Sequence, residues 1–268
     1  MRIKPAQSST LGAQRKAHNQ LKHSFEKLSS GKKLNHSADN SAALAIYKQL
    51  EAQELALGQA SRNTGAGMDI ARTMDGAMAQ QGTILNRMRE LSLAAGNGTI
   101  NQDQRDIISQ EFSSLRADLD RIANTTSLNG QPLLQGGAMD LQVGPRAGAD
   151  SQVTLSIPDS STANLGLSAA KVSTSGDAWS AIDSIDKAIE TLNTQKAYIG
   201  SAENRLAATQ SNLHQNLENH SAAKSRLGDT DFAEQSGKLS LQRLMLQVAL
   251  KMQQIEIRQK GSVLDLVA

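Results

Sequence analysis

The chain has no cysteine and very few aromatic residues. Three Phe, two Tyr and one Trp make up 2% of its 268 residues. Without cysteine, the chain can form neither a disulfide scaffold nor a thiol nucleophile. So few large rings cannot fill a thick globular core, and we therefore expect a core of aliphatic side chains between packed helices.

Proline is also scarce, and its placement divides the chain. The four prolines are Pro5, Pro132, Pro145 and Pro158. Residues 6–131 and 159–268 are therefore free of proline, so an α-helix can run through either block without interruption. The distribution predicts two long helical blocks on either side of a short irregular middle.

Long apolar runs are missing as well. No segment approaches the roughly 18 consecutive apolar residues of a membrane-spanning helix. Residues 1–20 contain no apolar run of signal-peptide length. We therefore expect no membrane span and, if the protein leaves the cell, export without a cleaved signal.

Neither sign of charge dominates, since the formal net charge is +2. Basic residues concentrate near the start, where residues 1–48 hold nine Lys or Arg against Glu26 and Asp39. They are spread at helical spacing and are not regularly interleaved with aromatic residues, which is typical of a solvated helix face. We predict no nucleic-acid partner.

Residues 178–228 carry the strongest pattern in the chain, an apolar residue at every seventh position. The core seam of this pattern consists of Ile185, Leu192, Ile199, Leu206 and Leu213. A strict seven-residue repeat predicts an α-helix with one narrow apolar seam, here about 75 Å long. Such a helix cannot bury its seam alone, so it needs long helical partners.

Two earlier blocks supply such partners. Residues 8–28 repeat apolar residues at heptad spacing and end before Gly31, a typical helix stop. A second helical pattern starts near Ser37 or Asp39 and continues to Gly96, but five glycines interrupt it. Because each glycine costs about 1 kcal/mol relative to alanine inside a helix, the pattern leaves open one long helix or two.

The middle of the chain changes its period. The pair Asn101 and Gln104 resembles a capping box and predicts a third helix, which Asn129-Gly130 ends. Apolar residues then alternate with polar ones within residues 138–158, which indicates a β-hairpin. Residues 159–177, rich in small residues, connect the hairpin to the long helix.

A last helix follows a break at residues 228–230. Its apolar residues are Phe232, Leu239, Leu241, Met245, Val248, Met252 and Ile255. The two terminal helices each carry a single apolar stripe and would be marginal in water without neighbours. We predict a mainly α fold, a long antiparallel coiled-coil-like helical rod with a small β-hairpin region and paired N- and C-terminal helices that fold on assembly.

Residue patterns for chemistry are weak. No glycine motif for nucleotides is present, and none of the five histidines stands at zinc-ligand spacing with a third ligand. Asp229 and Asp231 are more typical of a helix N-cap than of a cation site. We therefore predict no catalytic, cofactor or metal site, and a protein that is not an enzyme.

Several segments resemble bacterial flagellin in order and spacing. They are LSSGKKLNHSADNSAALAI at 28–46, QASRNTGAGMDIARTMDGAM at 59–78, LNRMRELSLAAGNGTINQDQRDII at 85–108, DRIANTTSLNGQPLL at 120–134 and SAAKSRLGDTDFAEQSGKLSLQRLMLQVAL at 221–250. The resemblance implies a structural subunit that polymerises with itself into the extracellular, helical flagellar filament that drives swimming.

The same resemblance implies a domain plan and partners. Residues 1–36 and 229–268 would be the terminal helices of an inner-tube domain. A surrounding wall domain would comprise residues 37–177 and the long helix 178–228. The implied partners are an export chaperone that holds the C-terminal helix during type III export, the filament cap and the hook-associated proteins.

Flagellins are also recognised by an animal innate receptor. Position by position, the receptor-contact motif of the family falls on Arg87 and Leu91, with a partner glutamate at Glu111. Leu91 also stands on an apolar track of its helix, so its first role is expected to be packing.

The sequence departs from the family pattern at three places, and two alternative functions are kept beside the filament subunit. Asp39-Asn40 replaces the usual aspartate pair, Ala43 replaces a glycine, and the C-terminal end is unusually charged. One alternative is a hook–filament junction protein, although such proteins usually have a proline where Ser41 stands. The other is a secreted coiled-coil adhesin.

Overall fold

The computed structural model describes the backbone of residues 6–265 and the side chains of residues 12–255, 257 and 258. The main elements are α1 (Ala6–Ser30), α2 (Ser41–Ala95), α3 (Gln102–Thr125), β1 (Ser127–Leu128), β2 (Gln131–Pro132), β3 (Gln135–Gln142), β4 (Gln152–Asp159), α4 (Ser175–Gly228) and α5 (Phe232–Asp265). The predicted mainly α fold with a small β region is confirmed. No helix in the described part of the chain combines the length and apolarity that a membrane crossing requires.

The second helical block is one uninterrupted helix, which answers the question that the glycines left open. α2 contains 55 residues and passes through all five glycines. At Gly67 the missing side chain makes room for a neighbour, because a Cβ there would overlap the Leu141 side chain of β3. At Gly67, packing against this distant residue therefore offsets the low helix propensity of glycine.

The helix begins two residues after Asp39, close to the predicted start. α2 starts at Ser41, and Asn40 Oδ1 accepts a hydrogen bond from the backbone N–H of Ala43 at 3.0 Å, as an N-cap does. The predicted starts, Ser37 and Asp39, lie in the preceding turn. Asn40, which the sequence analysis did not name as a cap, supplies the capping side chain.

Two predicted helix caps are present. Asn101 Oδ1 accepts from the backbone N–H of Gln104 at 2.8 Å, and Gln104 Oε1 accepts from that of Asn101 at 3.1 Å. At the start of α5, Asp231 Oδ1 accepts from the backbone N–H groups of Ala233 at 2.8 Å and Glu234 at 3.2 Å. Asp231 is therefore a helix cap, as its position after the break suggested.

The β region holds two hairpins. β3 and β4 pair antiparallel with Met139 opposite Leu155, inside the predicted segment. β1 and β2 form a second, tiny hairpin, in which Asn129 (φ 52°) and Gly130 (φ 79°) make the turn. The sequence indicated only a helix stop at this Asn-Gly pair, whereas α3 already ends at Thr125.

The chain divides into two compact units, Met1–Glu54 with Glu218–Ala268, and Leu55–Leu217. We call them the terminal unit and the central unit. The sequence placed its boundaries at 36/37 and 228/229, and that inner-tube and wall division stays a prediction.

The core of the central unit is built from α2, α3, α4 and the β region. Its fully buried large side chains include Met74, Met88, Phe112, Leu155 and Ile185. All five residues of the core seam are at most 5% exposed. The narrow apolar seam of α4 is therefore covered by long neighbouring helices and the hairpin.

Candidate assembly surface

The last helix exposes a row of large apolar side chains. Six of them lie on one face of the helix and are 52–59% exposed: Leu241, Leu244, Met245, Val248, Met252 and Ile255. Scattered apolar residues are normal on protein surfaces, but a continuous row along one helix usually marks a contact with another molecule. We call these six residues the α5 apolar row.

The row lies on the outside of the terminal unit. α5 packs along α1 through a different stripe, in which Leu239 and Leu246 are half-buried. On α1, Leu21 and Leu28 are half-buried, whereas Phe25 is 46% exposed. The two terminal helices therefore cover only one side of each other.

The structure places the residues predicted for the last helix on two faces. Leu241, Met245, Val248, Met252 and Ile255 are exposed together with Phe232, while Leu239 turns toward α1. Sequence reasoning missed two exposed residues of α5: Leu244, which widens the row, and Ile257, which lies on the opposite face of the helix and is 61% exposed. They lie off the four-three track, and only the position of α1 shows that their side chains remain uncovered.

A groove of about 530 Å³ runs between α1 and α5. Leu241 and Met245 line it from α5, and Gln20 and Ser24 line it from α1. Beside it, the guanidinium of Arg243 lies 5.3 Å from the centre of the Phe25 ring, within the range of a cation–π contact. The helix pair thus leaves apolar and aromatic surface accessible along its length.

The segment after α1 is held by Asp39. Its carboxylate accepts hydrogen bonds from the backbone N–H of His36 at 3.0 Å and of Asn35 at 3.1 Å, and lies 3.1 Å from Lys27 Nζ. Burial alone would raise the pKa of Asp39, but the His36 N–H, Lys27 and the Asn35 N–H together lower that pKa from 3.8 to about 2. The ionised carboxylate therefore stabilises the folded segment.

Backbone pairing closes the same end of the terminal unit. Gly31 adopts φ 66°, which favours glycine, and its carbonyl accepts from the N–H of Thr230 at 3.0 Å. Lys33 N–H donates to the carbonyl of Gly228 at 2.6 Å. The end of α1 and the start of α5 are tied to each other by these bonds.

The central unit brings two of the three receptor-motif residues together. Arg87 Nη2 lies 2.8 Å from Glu111 Oε1, and Arg87 Nη1 lies 3.1 Å from Glu90 Oε2. Arg87 and Glu111 are half exposed, whereas Leu91 is only 6% exposed and packs in the core. Arg87 and Glu111 are accessible as an ion pair, and the Leu91 side chain is not.

Among the described residues, no group of three or more His, Asp or Glu side chains is arranged to hold a metal ion. Asp231, one of the two acidic residues considered for a cation, uses its carboxylate to cap α5. The candidate contact features of the described surface are the α5 apolar row and the exposed ion pair between Arg87 of α2 and Glu111 of α3.

Comparison with known proteins returns one family. The family model of the bacterial flagellin N-terminal helical region matches residues 4–138, and that of the C-terminal helical region matches residues 182–267. A flagellin of Halalkalibacterium halodurans is 35% identical over 252 residues, which cover 93% of this chain and 92% of that protein.

Two solved structures share the fold. The crystal structure of Bacillus cereus flagellin is 30% identical and has a TM-score of 0.51, covering 57% of this chain and 88% of that one. A protein of Vibrio parahaemolyticus assigned as flagellar hook-associated has a TM-score of 0.62, covering 71% of this chain and 100% of that one. It is 14% identical, so this likeness concerns the fold alone.

Proposed function

The chain belongs to the bacterial flagellin family and is a structural subunit of the flagellar filament, and we propose that the α5 apolar row, together with α1, is the surface through which its copies assemble. The observation that carries this proposal is the row itself, six large apolar side chains at 52–59% exposure on one face of α5. Flagellin relatives favour the filament subunit over the junction protein and the adhesin.

Burial of the row would supply the free energy of assembly. Fully burying one exposed large apolar side chain contributes roughly 1.5–3 kcal/mol, and each subunit offers six that are still about half exposed, so each could contribute about half of that value. Part of that gain is offset by the cost of ordering side chains and fixing the subunit in place. The surplus stabilises helices that are marginal alone, so the terminal unit gains stability from its neighbours by mass action.

The same surface suits the predicted accessory partners. A subunit with the α5 apolar row exposed would be prone to aggregate before export, and we infer that an export chaperone covers α5 at this stage. At either end of a filament, the last subunits have no further copy to cover their α1 and α5. The cap and the hook-associated proteins would bind there. The protein would be secreted through the type III channel without a cleaved signal and act outside the cell.

We also propose that the Arg87–Glu111 pair is the part of the central unit that an animal innate receptor contacts. Both side chains are accessible. Leu91 lies on the same helix as Arg87 but faces the core, so it would act only by packing. Exposed ion pairs stabilise proteins by about 0–1 kcal/mol, so Arg87→Ala should leave the fold intact. Undiminished receptor signalling by folded Arg87→Ala subunits would contradict this role.

We assign no enzymatic activity, because the family is a structural one. The described residues support contacts between proteins rather than chemistry on a small molecule.

Deleting residues 233–268 tests the assembly surface directly. We expect the truncated chain to remain a soluble, largely helical monomer, since the core of the central unit lies within Leu55–Leu217. It should form no filaments under salting-out conditions in which the full chain polymerises, as seen by electron microscopy and sedimentation. Normal filaments from the truncated chain would refute the proposed surface.

A further inference from the structure

The turn between α2 and α3 presents an Asn-Gly dipeptide to solvent. Asn97 and Gly98 are both exposed, and they lie between the end of α2 and the capping residue Asn101. The backbone N–H of Thr99 donates a hydrogen bond to Asn97 Oδ1 at 3.1 Å. We propose that Asn97 is a site of spontaneous deamidation, and that it reacts faster than the other Asn-Gly site of this chain, Asn129-Gly130.

The reaction requires only water and base. The backbone nitrogen of Gly98 loses its proton to hydroxide and attacks Cγ of Asn97. A C–N bond forms, the side-chain amide leaves as ammonia, and a five-membered cyclic imide results. Water then opens the imide at either carbonyl, which leaves aspartate or isoaspartate at position 97. No oxidant, metal or second protein takes part.

Local geometry favours this path at Asn97. Negative charge develops on Asn97 Oδ1 as the ring closes, and the Thr99 N–H already points at that oxygen. A fixed N–H donor at a developing oxyanion lowers the barrier, as in an oxyanion hole. Gly98 adds no side chain to obstruct the attack, and a Cβ there would have no neighbour within 4 Å.

Asn129-Gly130 provides an internal reference with the same two residues. This pair forms the two-residue turn between β1 and β2, with both φ angles positive and paired strands on either side. Within the described residues, no donor contacts the Asn129 carboxamide. The Thr99 hydrogen bond exists before the reaction, so only its strengthening counts; a bond to a charged oxygen is roughly twice as strong as a neutral one, and this increment of about 0.5–1.5 kcal/mol corresponds to an advantage of about two- to tenfold for Asn97.

The test follows both sites in one sample. The purified full-length protein is kept in mildly alkaline buffer and digested with trypsin at intervals. Cleavage after arginine gives peptides 90–105 and 122–146, so the two sites are read separately by mass spectrometry and isoaspartate detection. We expect the 90–105 peptide to convert about two- to tenfold faster. Equal rates, or faster conversion of 122–146, would overturn the proposal.

Gly98→Ala supplies the matched variant. Gly98 does not require a left-handed backbone and has open space around it, so alanine fits the folded turn. The added methyl group hinders ring closure, and conversion at Asn97 should slow several-fold while Asn129 keeps its rate. An unchanged rate at Asn97 would show that the Gly98 nitrogen is not the attacking group.

Discussion

Gly228 lies so close to the ring of Tyr47 that a β-carbon at position 228 would overlap two of its ring carbons. Tyr47 is 4% exposed, and Lys32 Nζ lies 5.5 Å from the centre of the ring. The last residue of α4 is thus fitted against α2 inside the terminal unit. The absence of a side chain is what permits this approach.

Gly228→Ala should destabilise the terminal unit. The rigid Tyr47 ring cannot yield as a flexible chain end would, so we expect a loss of about 1–3 kcal/mol in the free energy of unfolding. Gly237→Ala in α5 is the matched control, because a Cβ there meets nothing within 4 Å and alanine favours a helix. Urea unfolding followed by circular dichroism distinguishes the two, and equal stability of both variants would contradict the close fit.

The core seam of α4 allows a second prediction. Ile199 is 1% exposed, and Ile199→Asp would bury a charge that has no partner. We expect a loss of about 3–5 kcal/mol, measured as a fall in melting temperature. Ser201→Asp adds the same charge two residues away at an exposed position and should change stability little. An unchanged melting temperature in Ile199→Asp would show that the seam is not buried.

These positions show what the sequence could reveal. The seven-residue period lies in the sequence itself, so the seam residues could be identified without any knowledge of their partners. The continuity of α2 could not, because it depends on packing that local propensity does not describe: Gly67 makes room for Leu141, far away in the chain. β1 and β2 are two residues each, too short to show a period.

The assembly surface was also only partly predictable. An apolar stripe on α5 followed from residue spacing, but spacing does not say which stripe meets α1 and which stays exposed. The receptor motif shows the same limit. Resemblance aligned Leu91 with a contact residue, whereas its 6% exposure places the side chain in the core.

Asp39 should make the stability of the terminal unit depend on pH. Its pKa in the folded chain is about 2, below the ordinary 3.8, so its contribution is fully present above pH 3.8 and is lost as the pH falls through about 2. Asp39→Asn should therefore be less stable than the native chain near neutral pH. The difference should shrink between those two pH values. Urea titrations of both proteins between pH 2 and pH 3.8 and near neutral pH measure this difference in the free energy of unfolding. A difference that does not vary with pH would exclude ionisation of the Asp39 carboxylate as the cause.

Val248→Glu tests the α5 apolar row without removing a helix. Val248 is 52% exposed in the subunit, so a glutamate there remains solvated and the monomer should keep its stability. Between packed copies the same carboxylate would be buried without a partner, at a cost of about 3–5 kcal/mol. That cost raises the concentration needed for polymerisation about a hundredfold or more, since each 1.4 kcal/mol is a factor of ten.

Gln247→Glu is the control for Val248→Glu. It adds an equal charge at the exposed neighbouring residue and separates the effect of a buried contact from that of a change in net charge. If both variants raise the critical concentration equally, as measured by sedimentation of filaments, then charge rather than burial of the row governs assembly.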